Sequence, residues 1–115
     1  MLLKEYEDIA AEDQGSARSS ESALFAQALE AMEASDSHPG DPMLRVRSIH
    51  FVRRVWNFFI SDLASEDNAI PAELRASLVS IGIFIIKHLD RMRSDKGLKF
   101  EPVIEITRTI QKGLE

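Results

Sequence analysis

Few side chains in this sequence have a type and spacing that could do bond chemistry. Its three histidines, His38, His50 and His88, stand alone. None has a second histidine four residues away or a glutamate three residues before it, the helical spacings that hold zinc. There are no cysteines, which excludes disulfides, thiolate metal sites and cysteine nucleophiles. Asp62, Glu66 and Asp67 come nearest to a carboxylate cluster, but they straddle a helix end and its turn. Capping and solvation explain them better there than acid–base work, and Asp67 and Asn68 can bond their own backbone in such a turn. Ser61, Ser65 and Ser77 have no adjacent base, and there is neither a glycine-rich phosphate loop nor a G-x-S-x-G elbow. No catalytic residue, metal ligand or cofactor is expected, and the chain does not read as an enzyme.

The elements that carry these residues are all helical. Leu2, Leu3, Tyr6 and Ile9 have the spacing of a short helix that docks rather than stands alone. Gly15 and Ser16 break it, and the Ser16 hydroxyl can cap a second helix running to about Ser35. Leu24, Ala28 and Met32 fall on one face of that helix, with Phe25 and Leu29 beside them. The stretch SDSHPGDP, residues 35–42, is a loop, in which Pro39-Gly40 marks a turn and Asp41-Pro42 is a cap followed by a first-turn proline.

The next helix spans roughly 42–64. Ile49, Val52, Trp56, Phe59 and Leu63 follow alternating steps of three and four and lie in one seam. A second stripe of Leu44, Phe51, Val55 and Phe58 adjoins it, and the basic residues Arg47, His50 and Arg54 flank that stripe. The two stripes together are wider than the ~100° face that one neighbour needs. Such a helix either packs between two others or leaves an aromatic strip for a partner, and aromatic stripes are more often core.

Pro71 suits the first turn of a third long helix, with Glu73 near its positive N-terminal end. Leu74, Leu78, Ile81, Ile85, Leu89 and Met92 form its main seam, while Val79, Ile83, Ile86 and Phe84 occupy the remaining sides. A helix apolar nearly all round belongs in the middle of a bundle. Gly82 permits a close backbone approach at a cost of about 1 kcal/mol in helix propensity. Basic residues close this helix near Gly97, and Phe100-Glu101-Pro102 starts a last one carrying Val103, Ile106, Ile110 and Leu114. No alternating strand pattern appears. The expected fold is all-α, a small bundle of three to four main helices plus a short N-terminal helix. It forms a single domain over residues 1–115, with an acidic helical arm (1–36) and a helical core (42–115).

Charge narrows the partners. Residues 1–36 hold nine acids and two bases, whereas residues 37–115 hold ten acids and twelve bases. Between Pro42 and Ile60 lie Arg45, Arg47, Arg53, Arg54 and His50 with no acid. The overall net charge of −5 argues against a general nucleic-acid binder, DNA included, although this patch keeps a local contact with RNA open. The acidic N-terminus is unlike a signal peptide. The most apolar run, Leu78 to Ile86, is about half the ~20 residues that cross a bilayer, so a cytoplasmic protein with no membrane contact is expected.

From Arg54 to Ala76 the order R-V-W-x-x-F-x-x-D-L-A-x-x-D-N-x-x-P-x-E-L-R-A resembles the FlaF family of flagellar biosynthesis regulators. The likeness continues through Leu78–Phe84 and Lys87-His88, and resumes at F-x-P-V-I-x-I-T-x-x-I-x-x-G-L from Phe100 to Leu114. Near the start, Tyr6 and S-x-R-x-x-E (Ser16, Arg18, Glu21) also fit. Two positions depart from it: arginine or valine stands near Trp56, and threonine at Thr107, where members often carry asparagine.

The resemblance implies a small cytoplasmic protein needed for flagellin production and export. It implies binding of unassembled flagellin in the manner of a secretion chaperone. The alternative it implies is post-transcriptional regulation of flagellin translation together with an FlbT-like regulator, with flagellin mRNA contacted indirectly or weakly. On the first reading, an amphipathic flagellin segment lays itself in a groove as a helix. The residues expected to hold it are Phe51, Val55 and Phe58, with Arg47 and Arg54 at the rim. A homodimer seam along the same stripe is the third option the residues leave open.

Overall fold

The computed structural model describes residues 14–65 and 67–114. They form four helices, α1 (Gln14–Ser37), α2 (Pro42–Ala64), α3 (Ala72–Met92) and α4 (Glu101–Leu114), and no strand occurs among them. The helix expected on Leu2, Leu3, Tyr6 and Ile9 falls outside the described residues, as does Glu66.

Local chemistry accounts for most helix ends. The Asp41 carboxylate accepts from the Leu44 N–H at 3.0 Å, and Pro42 takes the first turn of α2, as the sequence predicts. Asn68 shapes the α2–α3 turn. Its Oδ1 accepts from the Ile70 N–H at 2.9 Å, and its Nδ2 donates to the Asp62 carbonyl at 3.2 Å. Pro71 stands at the N-cap of α3, one position before the first turn, and Glu73 lies within that turn.

Two ends differ from expectation. α1 is already helical at Gln14 and continues through Gly15 and Ser16, where a break and a cap were expected. A lone glycine costs a helix only about 1 kcal/mol, less than the packing of α1 returns. α3 stops at Met92, well before Gly97. The reason is Arg45 on α2, whose guanidinium donates to the carbonyls of Met92 (2.9 Å), Asp95 (3.0 Å) and Leu98 (2.8 Å). Carbonyls gathered by a cation on another helix are drawn away from a further helical turn. The charge also sits at the negative end of the α3 dipole.

The hydrophobic interior is built as α2 in contact with α1 and α3, and α1 in contact with α4. Every residue of the predicted α2 seam is buried, and so are Leu24, Phe25, Ala28, Leu29 and Met32 of α1. From α4 come Val103 and Ile104, preceded by Phe100. Trp56, fully buried, lies between them. Its ring centroid is 5.2 Å from Phe25 and 5.7 Å from Phe59, and its indole N–H donates to Thr107 Oγ1 at 3.2 Å. Burying a large apolar side chain contributes about 1.5–3 kcal/mol, and tilted aromatic pairs of this kind add about 0.5–1.5 kcal/mol.

The placement of α3 corrects the sequence reading. The helix expected in the middle lies at the side, packed chiefly on α2. Ile85, Leu89 and Met92 are buried and Leu78 and Ile81 half-buried, but Leu74 is 52% exposed, and Ile83 and Phe84 are each 47% exposed. Gly82 is where α3 meets α2 most closely: a Cβ there would lie 2.6 Å from Ile60 Cγ1 and 3.6 Å from Trp56 Cε3.

Three outcomes follow from these contacts. Gly82→Ala should lower stability in denaturant titrations despite the alanine's helix propensity, because overpacking costs about 1–3 kcal/mol. The loss should shrink in an Ile60→Ala background, and equal losses in both backgrounds would remove the steric explanation. Thr107→Val should cost about 1–3 kcal/mol by stranding the indole N–H, with little change in the helical circular dichroism of the folded protein. Arg45→Lys cannot span three carbonyls with a planar fork, so amide exchange over residues 93–100 should accelerate while exchange in α1 stays slow.

Candidate functional site

The polar contacts around Arg45 belong to a larger corner where three segments meet. The Asp36 carboxylate, at the end of α1, accepts from the Phe100 N–H at 3.1 Å and so holds the entry to α4 from a distant part of the chain. His88, buried on α3, places Nε2 2.8 Å from the Lys99 carbonyl, where it donates. With the three Arg45 bonds, these fix the α3–α4 connection at several points along its length.

The connection carries Arg93, Lys96 and Lys99, all exposed. Pinning it brings them across from Arg47 and His50 on the exposed side of α2. Between the two rims lies an open groove of about 1050 Å³, with Pro39, Val46, Ile49 and Met92 among its apolar lining. Val46 is 61% exposed and Ile49 and Met92 are buried, so the floor is apolar and partly open. Asp36 is the one acid in the lining among the described residues, and its carboxylate already accepts from Phe100.

The structure divides the arginines of the sequence patch by task. Arg45 serves the corner. Arg53 forms an ion pair with Asp90 on α3, Nε to Oδ1 at 2.9 Å. The Arg53 hydrogen bond holds the Asp90 carboxyl below its ordinary pKa, and on so exposed a pair the stabilisation is at most about 1 kcal/mol. Arg47 is exposed and Arg54 half-buried, and neither side chain makes a hydrogen bond to another described residue. Of the proposed partner-binding residues, Phe51 and Phe58 are half-buried against the core, and Val55 is a core residue, 3% exposed, that offers no surface to a partner. Sequence spacing therefore located a strip of α2 that the protein's own interior largely uses.

A second surface was missed because α3 was expected to be covered. Ile83 and Phe84 stand next to each other in the middle of α3, turned away from the buried Ile85 and Leu89, while Val79 and Ile86 pack against the core at its margin. Val79 and Ile86 are half-buried, while Ile83 and Phe84 are exposed. The basic groove was half legible. Arg47 and His50 stood out as an acid-free run, but nothing in the sequence places Lys96 and Lys99 opposite them, since that depends on Arg45.

Among the described residues no group of three acids or histidines could hold a metal ion, and no helix is long and apolar enough to cross a membrane. Both surfaces suit binding, one apolar and helical, the other cationic with an apolar floor.

No curated protein and no solved structure matches this chain. A family model does: the one described as flagellar protein FlaF matches residues 3–114, nearly the whole length. The central α2–α3 hairpin, the Trp56 environment and the α4 sequence all lie inside that match, and the chain belongs to the FlaF family of flagellar proteins.

Proposed function

We propose that this flagellar protein binds unassembled flagellin as a secretion-chaperone-like adaptor, acting in the cytoplasm and promoting flagellin production and export. The observation that carries the reading is α3. It is apolar on nearly every side, yet it is packed chiefly on α2, leaving Ile83 and Phe84 half exposed in its middle. A helix of this kind takes an amphipathic helix along its length, with apolar anchors one turn apart on each partner. Flagellin segments that become helical only in the filament are such partners before assembly, and covering them keeps their apolar faces from pairing with one another. The chain does no bond chemistry in this role.

The alternative is regulation of flagellin translation with an FlbT-like protein, for which the cationic groove is the supporting feature. Among the described residues that groove has no phenylalanine, tyrosine or tryptophan to stack a base, only the smaller rings of His38 and His50, which favours contact with flagellin mRNA through the protein partner.

Calorimetry of the purified protein with monomeric flagellin from the same source tests the first reading. Binding with a clearly negative heat-capacity change is expected, the mark of apolar burial. Ile83→Glu combined with Phe84→Ser should weaken it by about tenfold or more, with stability within about 0.5 kcal/mol because both side chains are at the surface. If Arg54→Glu instead abolishes binding at unchanged melting temperature, the site lies on the α2 strip of Arg47, Phe51, Arg54 and Phe58. No binding at tens of micromolar flagellin would leave only the FlbT-linked reading.

A further inference from the structure

We propose that the groove between α2 and the α3–α4 connection is a second docking site, and that its occupant is an acidic amphipathic segment of a partner protein. The segment's apolar side chains lie on Val46 and Pro39, and its carboxylates meet Arg47, Lys96 and Lys99.

The charge distribution selects the sign of the occupant. The whole chain carries −5, yet among the described residues the lining of this groove holds Arg45, Arg47, Arg93, Lys96 and Lys99 against the single acid Asp36. Like charges so crowded repel one another and cost stability, and among these cations Arg45 is the one whose side chain hydrogen-bonds to described residues. Two of the arginines near by, Arg45 and Arg53, are satisfied by the protein itself, whereas the side chains of Arg47, Lys96 and Lys99 make no hydrogen bond to a described residue.

The rigidity of the rim argues for a site and not a passing accumulation of charge. Lys96 and Lys99 are on a connection tied down by Arg45, Asp36 and His88. Cations held on a pinned backbone lose little further freedom on binding, which favours a defined partner over a diffuse ion cloud.

The floor then separates protein from nucleic acid. A phosphate backbone is met by cations together with stacking platforms for bases. Here the space between the cations is lined largely by valine, proline, isoleucine and methionine, and among the described residues its only rings besides proline are the small imidazoles of His38 and His50, with no phenylalanine, tyrosine or tryptophan. Val46, 61% exposed, gains by being covered with carbon. The net negative charge of the chain also repels a long polyanion, whereas a short acidic helix offsets that repulsion by apolar contact. An acidic face beside an apolar face is the chemistry that matches both rim and floor.

Titration of the isotopically labelled full-length protein at low salt tests this, with backbone amide shifts as the readout. The first probe is a synthetic amphipathic helical peptide with one leucine face and one glutamate face. The second is the same peptide with every glutamate replaced by glutamine, and the third is a single-stranded oligouridylate. The glutamate peptide should shift Val46, Arg47, His50, Lys96 and Gly97 and bind about tenfold or more tightly than the glutamine peptide, with affinity falling as salt rises. Arg47→Glu with Lys96→Glu, both exposed and outside the structural bonds, should remove that preference at unchanged melting temperature. Equal binding of the two peptides would show a merely apolar surface. Tighter binding of the oligouridylate at the same amides would assign the groove to RNA. Shifts confined to α3 around Ile83, or none at millimolar peptide, would leave the groove without this role. Each of those three results overturns the proposal, and none depends on whether flagellin binds elsewhere.

Discussion

Trp56 is the side chain on which the arrangement of all four helices depends. It is the chain's only tryptophan and is completely buried. It starts from α2, meets Phe25 of α1, donates its N–H to Thr107 of α4, and lies beside Gly82 of α3. Two requirements act on it together. The ring needs close apolar neighbours on its faces and edges, and the buried N–H needs an acceptor in one direction. A rotation of the ring that preserved its packing would lose the acceptor. Helix α4, whose largest packing contacts are with α1, is thereby also given an angle relative to α2. Gly82 belongs to the same constraint, because its missing Cβ leaves room for Ile60 on the helix that carries the ring.

Away from that apolar centre, the end of the bundle near the α1–α2 loop is organised by polar bonds. Arg45, Asp36 and His88 hold a connection with few backbone bonds of its own, from the Asp95 N–H to the Arg91 carbonyl and from the Leu98 N–H to the Asp95 carbonyl. One guanidinium fork satisfies three carbonyls, an assignment no lysine ammonium on a flexible stem would hold as well. The side effect is electrostatic. A loop rich in lysine and arginine is fixed against a helix rich in arginine, and the repulsion is tolerated because the bonds beneath it are charge-assisted. Core and corner divide the work: aromatic packing sets the helix angles, and the arginine fork sets where the surface charges lie.

The legibility of the chain follows the range of the interactions. The bounds of α2 are visible because Asp41, Pro42 and the seam from Ile49 to Leu63 are local signals in agreement with one another. The resemblance was likewise carried by a contiguous stretch, Arg54 to Ala76. The early end of α3 is invisible, because Met92 is stopped by a residue on another helix and not by anything within its own last turn. Thr107 illustrates the same limit. It stood out as a departure from the family's pattern, and only the fold shows that its hydroxyl accepts from Trp56. The candidate strip was legible as a face of α2 but not in its burial. Helical spacing puts Phe51, Val55 and Phe58 on one stripe but cannot say that Val55 belongs to the core and that the others are half-buried against it.

The position of α3 is the one place where pattern and structure conflict, and the conflict is informative. The apolar positions of α3 extend beyond the side that packs on α2, and the other described helices leave part of them uncovered. The residues most at odds with their surroundings, Ile83 and Phe84, lie in the middle of the helix rather than at a fraying end. About 14 Å of helix, nine residues at 1.5 Å each, separates Ile83 from Met92 at the edge of the basic groove. One helix therefore borders two surfaces of opposite chemistry at a distance greater than the Debye length at physiological salt. Binding on the outer face of α3 should be nearly indifferent to ionic strength, while binding at the groove should weaken as salt rises. An interaction of the intact protein can be assigned to one face or the other by its salt dependence alone, before any residue is changed.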